Sequence, residues 1–219
     1  MFSPAFGSRP GGAEKVLSTG GNFNNLVGVP ATIFRANSRV RHLILELGAN
    51  AFGEIERLAG ICEPDVGAVT KVERAHLAGF GNLEGVARAK TELFRVMPRK
   101  SVFVFNAGDP FLAPYREFLG EKTVTFRDLR GGGKTSGEDL ELVREESRDG
   151  IARELFFAGK TVGASVLRVK TALVGSHHAE NVLVALAMAV ASGISPGTAA
   201  AAMAAAPAPE GRGTVRDYR

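Results

Sequence analysis

Between residues 40 and 126 the chain alternates short, nearly continuous apolar runs with stretches of helical spacing, and that order limits the fold more than any other feature. Val40–Leu47, Asp65–Val72, Lys100–Phe105 and Lys122–Phe126 are the runs, and each reads as a strand. Strands that are apolar throughout, rather than alternating, are buried on both faces, as in a parallel sheet covered by helices. The intervening stretches supply those helices. Val29–Ala36 opens at Pro30, which suits a first helical turn, and Gly53–Gly60 follows. Leu83–Met97 carries apolar residues at 83, 86, 87, 93, 94 and 97, and Pro110–Leu119 completes the set.

The pattern changes past residue 127. Arg127–Asp149 is polar and Gly-rich. Arg153–Phe157 and Thr161–Val169 flank Ala158-Gly159-Lys160, the signal of an antiparallel hairpin. Two helices close the chain, Ala179–Ala191 with a stop at Gly193, and Pro196–Ala206 halted by Pro207 and Pro209. The expected fold is α/β: a mainly parallel sheet flanked by helices, with a small antiparallel hairpin. Residues 1–20 read as an irregular segment, 21–206 as the domain and 207–219 as the start of a linker.

Composition narrows the function classes. With 219 residues at 45% hydrophobic and 23% charged, the chain can bury a substantial core and is neither disordered nor fibrous. Cys62 is the one cysteine, which excludes a disulfide framework. The net charge of +4 comes from scattered residues, with no Trp and two Tyr, so the basic stripe and aromatics of a nucleic-acid module are missing. No apolar run approaches the ~18 residues of a membrane span, and residues 1–12 lack the form of a secretory leader. A cytoplasmic, monomeric protein acting on an anionic small molecule is the expectation.

In open parallel sheets, ligands sit outside the carboxyl ends of the strands. This singles out Glu46, the Lys71–His76 segment and Asn106–Asp109. Glu46 reads either as a magnesium ligand or as a solvated strand-end acid. His76 reads either as a second ligand or as an ordinary satisfied histidine. Gly131-Gly132-Gly133-Lys134-Thr135-Ser136 ends like a phosphate loop, but the first Gly of that motif would fall on Asp128, whose charge opposes phosphate. A flexible loop is the better reading. Gly7 and Gly12 have the right spacing, yet Ala13 and Glu14 stand at the Lys and Ser/Thr positions.

Several strings together resemble one family. Gly21-Asn22-Phe23-Asn24-Asn25 with Gly28-Val29-Pro30 is similar to the GNxNNxxGVP segment of the Mur ligase family. Glu46-Leu47-Gly48-Ala49-Asn50 with Gly53-Glu54-Ile55 resembles its ELGAN…GEI stretch. Ala75-His76-Leu77 with Gly79-Phe80-Gly81 is similar to AHLxxFGS, and Ala87-Arg88-Ala89-Lys90 to the AKxEI helix. Asn106 with Asp109 resembles NADD, Gly175-Ser176-His177 with Asn181 resembles G-x-H-N-x-x-N, and Gly211-Arg212-Gly213 resembles GRG. Order and approximate spacing agree over residues 20–213.

The resemblance implies the central ATPase domain of an ATP-dependent amide ligase. Such enzymes activate a carboxylate as an acyl phosphate that an amine then displaces, and the nearest branch joins D-alanyl-D-alanine to a UDP-linked muramoyl tripeptide in peptidoglycan precursor synthesis. ATP and Mg2+ are the implied cofactors. By resemblance Glu46 and His76 hold magnesium, and Lys90, once carbamoylated, supplies a further carboxylate. Asn25, or Asn24 if the register shifts, lies near the γ-phosphate. Asn106, Asp109, His177 and Asn181 line the nucleotide, and Arg212 approaches the phosphates. The family's first strand, GK[ST] loop and following helix are expected to be missing or replaced, and its two outer domains to be absent; one sheet position is expected to be empty or filled by residues 13–19. Lys71 and His178 stand where the family often has Asn. Folylpolyglutamate and cyanophycin synthetases are the alternative branches, and a nucleotide-binding module without turnover is the alternative from another class.

Overall fold

A computed structural model describes residues 16–74, 77–120, 122–132, 134–148, 152–171, 173 and 177–206. Its centre is a sheet of strands β3 (Val66–Val69), β4 (Val102–Asn106), β5 (Thr123–Asp128), β6 (Leu140–Arg148), β7 (Ala152–Ala158) and β8 (Leu167–Thr171), hydrogen-bonded in that order. The pairs β3–β4, β4–β5 and β5–β6 are parallel, and β6–β7 and β7–β8 are antiparallel. Two further strands, β1 (Val16–Ser18) and β2 (His42–Ile44), form a separate parallel pair.

The doubly apolar strands are buried as their composition requires. On β4, Phe103 and Phe105 face a core with Val86 and Ala87 of α4 (Leu83–Lys90) and Leu93 and Phe94 of α5 (Glu92–Val96). Between them Val104 faces the opposite core, with Leu183 and Leu186 of α6 (His177–Ala191) and Ala199 and Met203 of α7 (Pro196–Ala204). The second core also takes Phe126, Leu140, Leu142, Leu155, Phe157 and Val169 from β5 to β8. One layer of helices on each face is the arrangement the apolar runs predict. Ser195 caps α7 through Thr198 N–H at 3.2 Å, and Gly193, at φ 80°, ends the preceding helix region.

Several expectations shift. The helix over 83–97 is two helices, broken at Thr91, whose Oγ1 donates to the Ala87 carbonyl at 2.7 Å. The stretch 110–119 is a 3₁₀ turn at Ala113–Phe118 rather than an α-helix. The polar stretch 127–149 contains β6, so the antiparallel part is three strands rather than one hairpin. Val16–Ser18 form a strand inside the segment read as irregular, and they fill an outer place beside β2 instead of a place in the main sheet. The run 40–47 gives only a three-residue strand, and His42 and Leu43 are exposed because β2 pairs on one side alone.

The remaining helices are α1 (Gly28–Phe34), α2 (Glu54–Cys62) and α3 (Leu77–Phe80). The buried carboxylate of Glu92 on α5 accepts from Gly53 N–H at 2.8 Å and Glu56 N–H at 3.3 Å, closing the amino end of α2.

Candidate functional site at the carboxyl edge

Two clusters form at the strand exits. The first surrounds Glu46, just past β2. Its N–H donates to Thr19 Oγ1 at 3.0 Å, and its Oε1 accepts from Asn24 Nδ2 at 3.2 Å. Thr19, at the end of β1, thus fixes the backbone while Asn24 orients an exposed carboxylate. The Asn24 carbonyl accepts from Gly48 N–H at 2.7 Å, and a Cβ on Gly48 would fall 2.8 Å from the Asn24 side chain, so position 48 has no room for one. Asn25 turns inward: its Oδ1 accepts from Val27 N–H at 3.1 Å and Gly28 N–H at 2.9 Å, satisfying donors at the start of α1. Asn25, Leu26, Val27, Gly48, Asn50 and Glu54 line a small cavity of about 140 Å³ here.

The second cluster grips the exit of β3, where each of three successive residues is held by a side chain from elsewhere. Asn106 Nδ2 donates to the Thr70 carbonyl at 3.0 Å, Lys90 Nζ to the Lys71 carbonyl at 2.5 Å, and Val72 N–H to Asp109 Oδ2 at 2.8 Å. The other oxygens of the turn after β4 are engaged as well, Asn106 Oδ1 by Gly108 N–H at 3.0 Å and Asp109 Oδ1 by Phe111 N–H at 2.9 Å. Through these atoms Asn106 and Asp109 shape the edge. Burial pushes the Lys90 ammonium below the ordinary lysine range, partly opposed by the negative charges of Glu73 and Asp109.

Lys71 reaches sideways from this exit. Its Nζ lies 2.9 Å from Glu73 Oε1 and 3.0 Å from Glu180 Oε2 on α6. Hydrogen bonds donated to Glu73, then to Glu180, hold the Lys71 ammonium above its usual range, and the bond to Glu73 lowers that carboxyl. Asn181, the next residue on α6, is exposed. His177 starts that helix, and its side chain lies outside the described residues, as do His76 and Arg212 entirely. β2 and β3 are not sheet neighbours, because they belong to different sheets. Adjacent-strand spacing therefore does not bring Glu46 to the residues that follow β3. Loop packing joins the two exits instead: a Cβ on Gly79 of α3 would sit 2.1 Å from the Asn50 carbonyl.

The Gly-rich segment 131–136 is no phosphate cradle in its described residues. Glu141 Oε1, 1% exposed as a residue, accepts from Ser136 N–H at 2.7 Å, Ser136 Oγ at 3.0 Å and Glu138 N–H at 3.4 Å. The protein's own carboxylate already sits where an anion would be held. Lys134→Ala is therefore expected to leave nucleotide affinity within about twofold, measured by calorimetry; a tenfold loss, ~1.4 kcal/mol, would restore the loop as a site.

The pairings made by Lys71 and Glu180 were not readable from the sequence. The one signal was a charged residue at a strand exit. Among the described residues, no group of three or more His, Cys, Asp or Glu could by itself cage a metal.

A mainly parallel sheet covered by helices on both faces, with acid, amide and lysine side chains at the strand exits, defines an α/β domain whose ligand crevice lies at the carboxyl edge. The chain belongs to the Mur ligase family, for residues 6–189 match the Mur ligase middle domain. Within that family it is 35% identical, over 183 residues, to the UDP-N-acetylmuramoyl-tripeptide–D-alanyl-D-alanine ligase of Mycobacterium tuberculosis H37Rv, covering 83% of this chain and 34% of that protein. Its fold matches MurF from Acinetobacter baumannii with a TM-score of 0.79 and 27% identity, covering 90% of this chain and 41% of the other. It also matches MurF from Thermotoga maritima, solved in complex with ADP, with a TM-score of 0.73 and 24% identity over 88% and 42% of the two chains. The chain spans about a third of the length of the M. tuberculosis ligase.

Proposed function

We propose that this chain is the nucleotide-binding middle domain of a ligase that uses ATP to join D-alanyl-D-alanine to a UDP-linked muramoyl tripeptide. The observation that carries this reading is Glu46, an exposed carboxylate oriented by Asn24 at a strand exit. It lies within Glu46-Leu47-Gly48-Ala49-Asn50, which resembles the ELGAN stretch of that branch. The tripeptide carboxylate takes the γ-phosphoryl group to become an acyl phosphate, and the amine of D-alanyl-D-alanine then displaces phosphate. We read the reaction as cytoplasmic.

The donors fit magnesium, which is held by one or two protein carboxylates with phosphate and water completing an octahedron. Glu46 is the carboxylate on hand, with His76 its partner by resemblance. The ion would neutralise phosphate charge as the γ-phosphoryl group moves. Burial lowers the pKa of the Lys90 ammonium and so leaves more of the neutral amine, the form that adds carbon dioxide, and by resemblance the resulting carbamate would supply a second carboxylate. Asn106 and Asp109 hold the edge, and by resemblance Asn181 and His177 are assigned to the adenine and Arg212 to the phosphates.

The test is magnesium-dependent ATP binding by calorimetry on the 219-residue chain. It is joined by phosphate release with UDP-muramoyl tripeptide and D-alanyl-D-alanine, set against folate and glutamate. Binding is expected, and activity with folate alone would overturn the assignment. A second reading, a binding module without turnover, is favoured by the carboxylate-filled loop at 131–136. It predicts ATP binding with no phosphate release in any mixture.

A further inference from the structure

We propose that Lys71 is a positioning residue, a tether that keeps the β3 exit and the amino end of α6 at the spacing one nucleotide needs. This rests on the function proposed above.

The Lys71 ammonium sits between Glu73 on its own loop and Glu180 on α6, at 2.9 and 3.0 Å. Its carbonyl is held by Lys90 Nζ at 2.5 Å, and the residues on either side by Asn106 and Asp109 at 3.0 and 2.8 Å. The backbone of the exit is therefore fixed to β4 and α4, and the Lys71 side chain carries that fixed point across to α6. Glu180 adjoins Asn181, and Glu73 lies three residues before His76. The tether thus joins the segment assigned to the adenine to the segment assigned to the magnesium that the phosphates bind.

Two sites on one ligand gain affinity from each other only when their spacing matches the ligand. A tether at that point acts on ligands that span both segments and leaves ligands that touch one of them unaffected. The side chains are 38–64% exposed, so the effect is modest. Cutting the tether is expected to weaken Mg·ADP about three- to fivefold, with adenosine unchanged.

The experiment compares the chain with Lys71→Met, Glu180→Gln and the exchanged pair Lys71→Glu/Glu180→Lys. In the exchanged pair the lysine on α6 finds acids at both 71 and 73. Calorimetry reads Mg·ADP, and ligand-observed NMR reads adenosine. Amide hydrogen exchange over residues 70–74 and 177–181 reads the tether without nucleotide. Either single substitution should raise exchange at the amino end of α6 and weaken Mg·ADP alone, and the exchanged pair should restore both. Unchanged exchange in Lys71→Met overturns the tether whether or not nucleotide binds. Equal losses for adenosine and Mg·ADP, or no restoration by the exchanged pair, overturn the positioning role. Normal exchange effects with no Mg·ADP binding by the unaltered chain overturn both the positioning role and the nucleotide reading, leaving a purely structural ion pair.

Discussion

Replacing Glu46 with alanine is expected to erase the magnesium-dependent gain in ATP affinity, a loss of about tenfold or more, with the fold intact. The carboxylate is exposed, and its side-chain bond is to Asn24, itself on a loop, so removing it opens no cavity. Unfolding free energy should change by less than ~0.5 kcal/mol. Titrating ATP with and without magnesium reads the first quantity, and a denaturant melt the second. A Glu46→Ala chain that still gains affinity from magnesium would remove Glu46 from the metal site. One that melts early would make the residue structural.

The second large effect is on stability and separates two adjacent phenylalanines. Phe157 on β7 is fully buried between the sheet and α6, while Phe156 points to the other face, beside Val143 and Val166 and 4.1 Å from the Arg144 guanidinium carbon. Phe157→Ala should cost 3–5 kcal/mol, the usual range for a buried aromatic. Phe156→Ala should cost about 1 kcal/mol, the worth of an exposed cation–π contact and some area. Urea melts of the two variants are the measurement. Similar costs would mean that the register of β7 against β6 and β8 is one residue off, since such a slip exchanges the faces of the strand.

The parallel part of the fold was legible because it is written in single residues. Phe103, Val104 and Phe105 are apolar without alternation, and only a doubly covered strand takes such a run. β6 was hidden by its charges. Glu141, Glu145 and Glu146 make 140–148 look like a solvated loop, yet Glu141 is satisfied by Ser136 and Glu145 by Arg130 and Arg153. Strand propensity counts side chains one at a time, whereas these acids are tolerable only with partners the fold supplies. The site divides in the same way. Glu46 was visible as a carboxylate ending an apolar run. The inward turn of Asn25 onto the α1 backbone was not, because a motif says which residue is present and not which hydrogen bonds it makes. The Lys71–Glu180 contact spans 109 residues of sequence and leaves no local trace.

The division of strands between two ladders also sets how the molecule can come apart. Among the described residues, β1 and β2 contribute three residues each and pair only with one another, while β3 to β8 share a continuous ladder and two cores. Elements with few ladder bonds open first, in cooperative units well below the global unfolding free energy. Thr19, Asn24 and Glu46 belong to the smaller unit, and Lys90, Asn106 and Asp109 to the larger. Local melting of the β1–β2 pair would disperse one half of the site and leave the other standing, so a nucleotide touching both halves acts as a clasp that raises the stability of the weaker unit first.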